Sequence, residues 1–207
     1  IGETGEKFIL YAGGSDEHKN IALLIDAYAR LSNQLRDTYK LVIVCGKDEA
    51  ARGRLLVQLQ KAGVPPQQFV LFGYVSDAEL RSLYSSCSLF VFPSLSEGFG
   101  LTPLEAMTCG APVIVSHSTS LPEVVECDEA LFDCRNVQSL ADKMTSLLQD
   151  EKALARLRVH AVEQSRKFSW NKTAEKTWRF LEELVPSSKH PLPAVDMMSF
   201  CSSLEIS

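Results

Sequence analysis

The sequence predicts an α/β fold, a doubly wound parallel sheet of about six strands followed by C-terminal helices. Two observations carry that prediction. Short apolar runs alternate with helical patterns from Phe8 to about Arg135, and most of the runs are continuously apolar. Such runs mark strands covered on both faces, as in a parallel sheet, whereas half-exposed strands alternate. Repeated β-α-β-α order then implies right-handed crossovers, with helices on both sides of the sheet.

The strand candidates are residues 8–12, 41–45, 69–72, 89–93, 112–116 and 130–132. Between the first two, residues 20–33 place Ile21, Leu24, Ile25, Tyr28 and Leu31 on one helical face. A second helix, 48–62, stops at Gly63 with Pro65 just beyond. A third, 76–87, opens on Ser76 and Glu79, a capping box. A fourth, 102–110, starts with Thr102 as N-cap, Pro103 in the first turn and Glu105 three residues on, also a capping box. After residue 136 the strands stop, and 136–149, 151–168 and 170–185 read as consecutive helices. The expected organisation is one domain over 1–185 and a Pro- and Ser-containing tail or linker over 186–207.

Composition narrows the function classes. A net charge of −5 argues against a nucleic-acid or anionic-membrane surface, so an anionic ligand must be held by a few placed groups. The six cysteines show no C-x-x-C spacing, which favours reduced thiols in a cytoplasmic protein over a zinc site or disulfide framework. No apolar run approaches the ~20 residues of a membrane span, and the first residues do not form a signal peptide. A chain that enters its first strand so early looks cut from something larger.

In doubly wound folds, ligands bind at the carboxyl ends of the strands, and three loops there stand out. The first, 12–20, contains Gly13, Gly14 and Lys19 and runs into a helix. Two glycines let backbone approach a ligand, and a helix start offers free N–H groups to a phosphate. A tight turn with a solvated lysine fits the same residues. The loop matches neither the G-x-G-x-x-G nor the P-loop pattern, which disfavours a standard dinucleotide or ATP site. The second loop, 72–76, reads equally as a slot for a base or as a plain turn. The third, 92–107, is the most specific. Glu97 and Glu105 flank Gly98, Phe99, Gly100, Leu101 and Thr102. Carboxylates suit sugar hydroxyls, while amides and a helix N-terminus suit a diphosphate. For Glu105 the local pattern favours the capping role over the ligand role; Glu97, in a Gly-rich loop, has no evident capping role.

At these residues the chain resembles the group 1 retaining glycosyltransferases, whose GT-B architecture pairs two Rossmann-like domains. The resemblance covers residues 7–184, the C-terminal, donor-nucleotide-binding domain of that family. It rests on Gly-Gly-x4-Lys-Asn at 13–20, Pro-Ser-x2-Glu-Gly-Phe-Gly-Leu-x-Pro-Leu-Glu-Ala-Met at 93–107, Gly-Ala-Pro-Val-Ile at 110–114, Leu-Pro-Glu-Val at 121–124 and Phe-Ser-Trp at 168–170. The resemblance implies that Lys19 neutralises the donor diphosphate, Glu97 hydrogen-bonds the transferred sugar and Glu105 binds the ribose hydroxyls. It assigns sugar and phosphate oxygens to amides from Phe99 through Thr102, and the base to backbone of Val75 and Gly46. Two departures stand out. Gly14 occupies a position where many members carry a phosphate-binding arginine, leaving Lys47 as a weak substitute, and the turn at Glu126-Cys127-Asp128-Glu129 lacks the usual glycines.

The implied reaction is transfer of a sugar from a UDP- or GDP-sugar to an acceptor hydroxyl with retention, in polysaccharide or glycoconjugate synthesis. No cofactor and no metal are expected. The acceptor, a sugar or glycoconjugate, would be met by an N-terminal Rossmann-like domain missing from this chain, as would any peripheral membrane contact. A non-catalytic nucleotide-sugar-binding module and a sugar-nucleotide epimerase of similar architecture are the alternatives. A phosphorylase would need a recognisable pyridoxal phosphate lysine, which is not found.

Overall fold

The computed structural model describes residues 6–46 and 49–184. The chain forms two compact units, one up to Lys167 and one from Phe168 onward. The first holds a parallel sheet of six strands in the order β3-β2-β1-β4-β5-β6. These strands are β1 (Lys7–Ala12), β2 (Tyr39–Val44), β3 (Phe69–Phe72), β4 (Leu89–Phe92), β5 (Val113–Ser116) and β6 (Leu131–Phe132). All four residues of β4 and of β5 are buried, as are five of the six in β1, which is the reason their sequences are apolar without alternation.

Proline sets two strand ends. The apolar pattern carries β4 to Pro93 and begins β5 at Pro112, but proline has no N–H for the ladder, so β4 stops at Phe92 and β5 starts at Val113. Pro112 still contributes its carbonyl, which accepts from the Phe90 N–H at 2.8 Å.

The helices of this unit are α1 (Ile21–Ala29), α2 (Asn33–Thr38), α3 (Glu49–Lys61), α4 (Asp77–Ser86), α5 (Leu101–Thr108), α6 (Leu121–Val125), α7 (Val137–Gln149) and α8 (Glu151–Ser165). The helix expected over 20–33 ends early, at Ala29, and α2 begins only at Asn33, the last residue of the expected span. Ser32 caps α2, its hydroxyl accepting from the Leu35 N–H at 3.3 Å, and a cap of that kind starts a new helix. The short α6 has no counterpart among the helices expected from periodicity. The Ser76–Glu79 capping box of α4 is present in both directions. Asn136 and Asp150 cap α7 and α8 through their side-chain oxygens. The second unit's helix, α9 (Trp170–Leu184), follows directly on Ser169, whose carbonyl accepts from the Thr173 N–H. The expected tail, 186–207, lies outside the described residues.

Candidate functional site

Strand order locates the site. From β1 the chain builds outward through β2 and β3, and from β4 it builds the other way through β5 and β6. The reversal falls between β1 and β4, which pair in parallel at Ile9–Leu89 and Leu10–Phe90. The loops leaving these two strands therefore diverge and leave a crevice at their carboxyl ends, the usual ligand position in open α/β sheets. They are the loops that carry Lys19 and Glu97.

The two side chains meet. Lys19 Nζ donates to Glu97 Oε1 at 2.7 Å across 78 residues of sequence, with side-chain exposures of 17% and 14%. A pair so covered is screened far less than a surface ion pair. Lys19 Nζ also lies 5.6 Å from the centre of the Phe92 ring, on the cation-attracting face of an aromatic.

Neighbouring groups hold the lysine loop in place. Asn20 adopts a left-handed backbone conformation (φ 55°) and its side-chain amide donates to Pro93 O at 3.2 Å and to Cys134 O at 3.0 Å. One side chain thus ties the β1 loop to the loops after β4 and β6. Tyr11, at the end of β1, donates to Gly14 O at 2.7 Å and stacks on Phe92. Burial, and then the Glu97 carboxylate, raise the Tyr11 phenol pKa well above its usual value, so it stays protonated and donates. Gly13 is needed beneath it: a Cβ there would come within 2.9 Å of the Tyr11 hydroxyl. At Gly14 a Cβ would stand 3.0 Å from an Asp16 carboxylate oxygen, so the position of the usual arginine is crowded by an acid.

The capping reading of Glu105 is overturned. Helix α5 begins at Leu101, one residue before the expected Thr102 cap, with Gly100 as N-cap in the left-handed region (φ 104°) and no side-chain cap. Only glycine suits Gly100, since a Cβ would lie 2.8 Å from Leu121. Glu105 therefore sits beyond the first turn, too far along to reach the N-cap amide. It lines a cavity of about 360 Å³ with Asp77, Arg81, Tyr84, Thr108 and Cys109. Desolvation, and then the Asp77 charge, raise the pKa of Glu105. The buried Tyr84 hydroxyl makes no hydrogen bond among the described residues.

The remaining candidates occupy the same end of the sheet. Gly98, Phe99, Leu101 and Thr102 surround the start of α5, with Phe99 and Leu101 exposed. Gly46 follows β2 at φ 71°, and Val75 lies after β3 with its side chain packed against the core. The expectation for Lys47 lies outside the described residues. What sequence reading missed are the groups that brace the loops: Tyr11, Asn20 and the hydroxyls of 116–120. The Ser-His-Ser-Thr-Ser run at the end of β5 was a visible signal, four hydroxyls at a strand end where ligand loops gather.

Among the described residues no cluster of three His, Cys, Asp or Glu is placed to hold a metal ion. Cys87, Cys109, Cys127 and Cys134 are free thiols, and no described helix is long and apolar enough to cross a membrane.

Comparison with known proteins agrees with this fold. The family model described as "Glycosyl transferases group 1" matches residues 2–168. The serotype-specific mannosyltransferase WbdA of Escherichia coli is 40% identical over 184 residues, 89% of this chain and 23% of its own length. The O-antigen chain mannosyltransferase B of Escherichia coli is 35% identical over 173 residues, 82% of this chain and 44% of its own. Among solved structures, sucrose-phosphate synthase from Thermosynechococcus elongatus superposes with a TM-score of 0.77 at 28% identity, covering 86% of this chain and 45% of that one. The chain thus spans less than half the length of these proteins.

Proposed function

Since the chain belongs to the group 1 glycosyl transferases and has the Rossmann-like fold of their C-terminal domain, we propose that it binds the donor of a retaining hexosyl transfer. The donor is a nucleoside diphosphate sugar, UDP- or GDP-linked, and the mannosyltransferase relatives support mannose as the sugar. The observation that carries the reading is the Lys19–Glu97 pair at the switch point of the sheet. A cation and a sugar-competent carboxylate stand side by side there, as the two ends of a sugar–diphosphate bond require.

In this reading Lys19 and the amides at the start of α5 meet the diphosphate, and Glu97 meets sugar hydroxyls. As the glycosidic bond breaks, charge grows on the departing phosphate, and donors aimed at it stabilise that charge without cofactor or metal. Glu105 takes the ribose hydroxyls, with Gly46 and Val75 backbone at the base. The acceptor, a sugar or glycoconjugate, is met by a second domain outside this chain, in keeping with the longer relatives.

Calorimetric titration with UDP, GDP and ADP, with the bare nucleosides, and with UDP-glucose and GDP-mannose tests the reading. At least one diphosphate should bind far more tightly than its nucleoside, and a sugar conjugate should add to that. Equal binding of nucleoside and diphosphate throughout would refute it.

Glu105→Gln separates ribose binding from a structural role. Nucleotide affinity should fall by about ten-fold, the scale of a hydrogen bond to a charged group. The melting temperature at neutral pH should hold or rise slightly, because the substitution removes a charge that desolvation and Asp77 disfavour. The folded-state pKa lies above the unfolded one. The penalty on the native carboxylate is therefore full above the folded pKa and disappears as pH falls to the unfolded range. Melts across that window, beside titrations, check both halves. An earlier melt with unchanged nucleotide binding would remove Glu105 from the site.

A further inference from the structure

Glu97 reaches Lys19 from an exposed, glycine-flanked loop, so something must fix its backbone. Both polar backbone atoms of Glu97 are taken by consecutive residues of the loop between β5 and α6. The Glu97 N–H donates to Thr119 Oγ1 at 3.0 Å, and Ser120 Oγ donates to Glu97 O at 3.1 Å. Just upstream, Ser118 Oγ donates to Leu95 O at 2.8 Å, and Ser116 Oγ donates to Ser94 O. The hydroxyls of 116–120 thus run along 94–97 as a second strand of contacts where no sheet ladder exists.

Thr119 occupies the left-handed region at φ 45°. A β-branched residue there is a true outlier, and such strain persists only where surrounding contacts over-determine the conformation. The conformation aims its hydroxyl at the Glu97 amide. Glycine would relieve the strain but leave that amide without its partner. Serine would keep the hydroxyl without the β-branch.

We propose that Thr119 is a positioning residue for sugar recognition: its strained backbone and hydroxyl, with Ser120, fix the Glu97 carboxylate where it meets the transferred sugar. The inference rests on the assignment of Glu97 to the sugar made above. It carries a specific signature. Loss of the hydroxyl loosens Glu97, so the affinity gained when a sugar is attached to the diphosphate shrinks, while the bare diphosphate, held mainly by Lys19 and the α5 amides, is little changed.

The test measures that sugar increment, the ratio of dissociation constants for GDP against GDP-mannose and for UDP against UDP-glucose. It compares the wild-type chain with Thr119→Val, Thr119→Gly, Thr119→Ser and Glu97→Gln. Valine keeps the shape and the strain, and glycine removes the strain; both lack the hydroxyl. Each should cut the increment about five- to ten-fold, the scale of one hydrogen bond, with serine close to wild type. Equal losses for diphosphate and conjugate, tracking a lower melting temperature, would reduce Thr119 to a structural residue. An intact increment in valine and glycine variants, with Glu97→Gln reducing it, would overturn the brace alone. An increment insensitive to Thr119 and Glu97 alike would sink both the brace and the assignment of Glu97.

Discussion

Replacing Lys19 by alanine is expected to weaken nucleoside diphosphate binding ten- to a hundred-fold, roughly 1.5–3 kcal/mol, while the bare nucleoside hardly changes. Two effects act in the same direction. The variant loses the cation placed at the crevice between β1 and β4. It also leaves the Glu97 carboxylate, 14% exposed, without its counter-charge in a site that must accept an anion. Removing one member of a covered ion pair is destabilising because the other charge stays desolvated and unpaired. The melting temperature should therefore fall as well. A double-mutant cycle divides the two effects. Adding Glu97→Gln to Lys19→Ala should restore part of the diphosphate affinity by removing the repelling charge. Equal losses for uridine and UDP, or for guanosine and GDP, would show that Lys19 makes no phosphate contact.

Glu97→Gln alone should move diphosphate binding the other way. In the free chain Glu97 already occupies Lys19, so an incoming diphosphate competes with a carboxylate for the same ammonium. Releasing that ammonium should tighten GDP or UDP binding by roughly three- to ten-fold, the scale of one charge-assisted hydrogen bond. The sugar conjugate should gain less, because the amide of the substituted side chain replaces only part of what a carboxylate offers sugar hydroxyls. The expected signature is thus a divergence: tighter diphosphate, with a smaller increment for attached sugar. Titration of wild type and variant with both members of each pair reads it directly. If the variant weakened the bare diphosphate, Glu97 would instead be orienting Lys19 in the bound state, and the competition described here would be wrong.

The same pair shows where sequence reading reached and where it stopped. Lys19 and Glu97 were each recognisable alone, one beside a glycine turn at a strand end, the other in a Gly-rich loop with no capping role. Their mutual contact was not, because 78 residues and the intervening strands β2, β3 and β4 separate them, and no local pattern encodes that distance. Glu105 was legible as a choice between two roles, with the helix cap misplaced by two residues. Gly100, free to take a left-handed conformation beside Leu121, starts the helix before Thr102 can cap it.

What the sequence determined by itself is what short-range physics controls. Continuous apolar runs, bounded by glycines, prolines and capping residues, specify buried parallel strands and the helices between them, because periodicity and burial are written into neighbouring residues. The order of strands, and so the crevice between β1 and β4, follows from which runs pack together across the chain. Tertiary structure alone decided the bracing of that crevice. Asn20 donates to the loops after β4 and β6, and Thr119 accepts a strained conformation to hold Glu97. Each is a polar contact between segments far apart in sequence, made because a backbone group drawn out of water by the fold must find a partner wherever the fold supplies one.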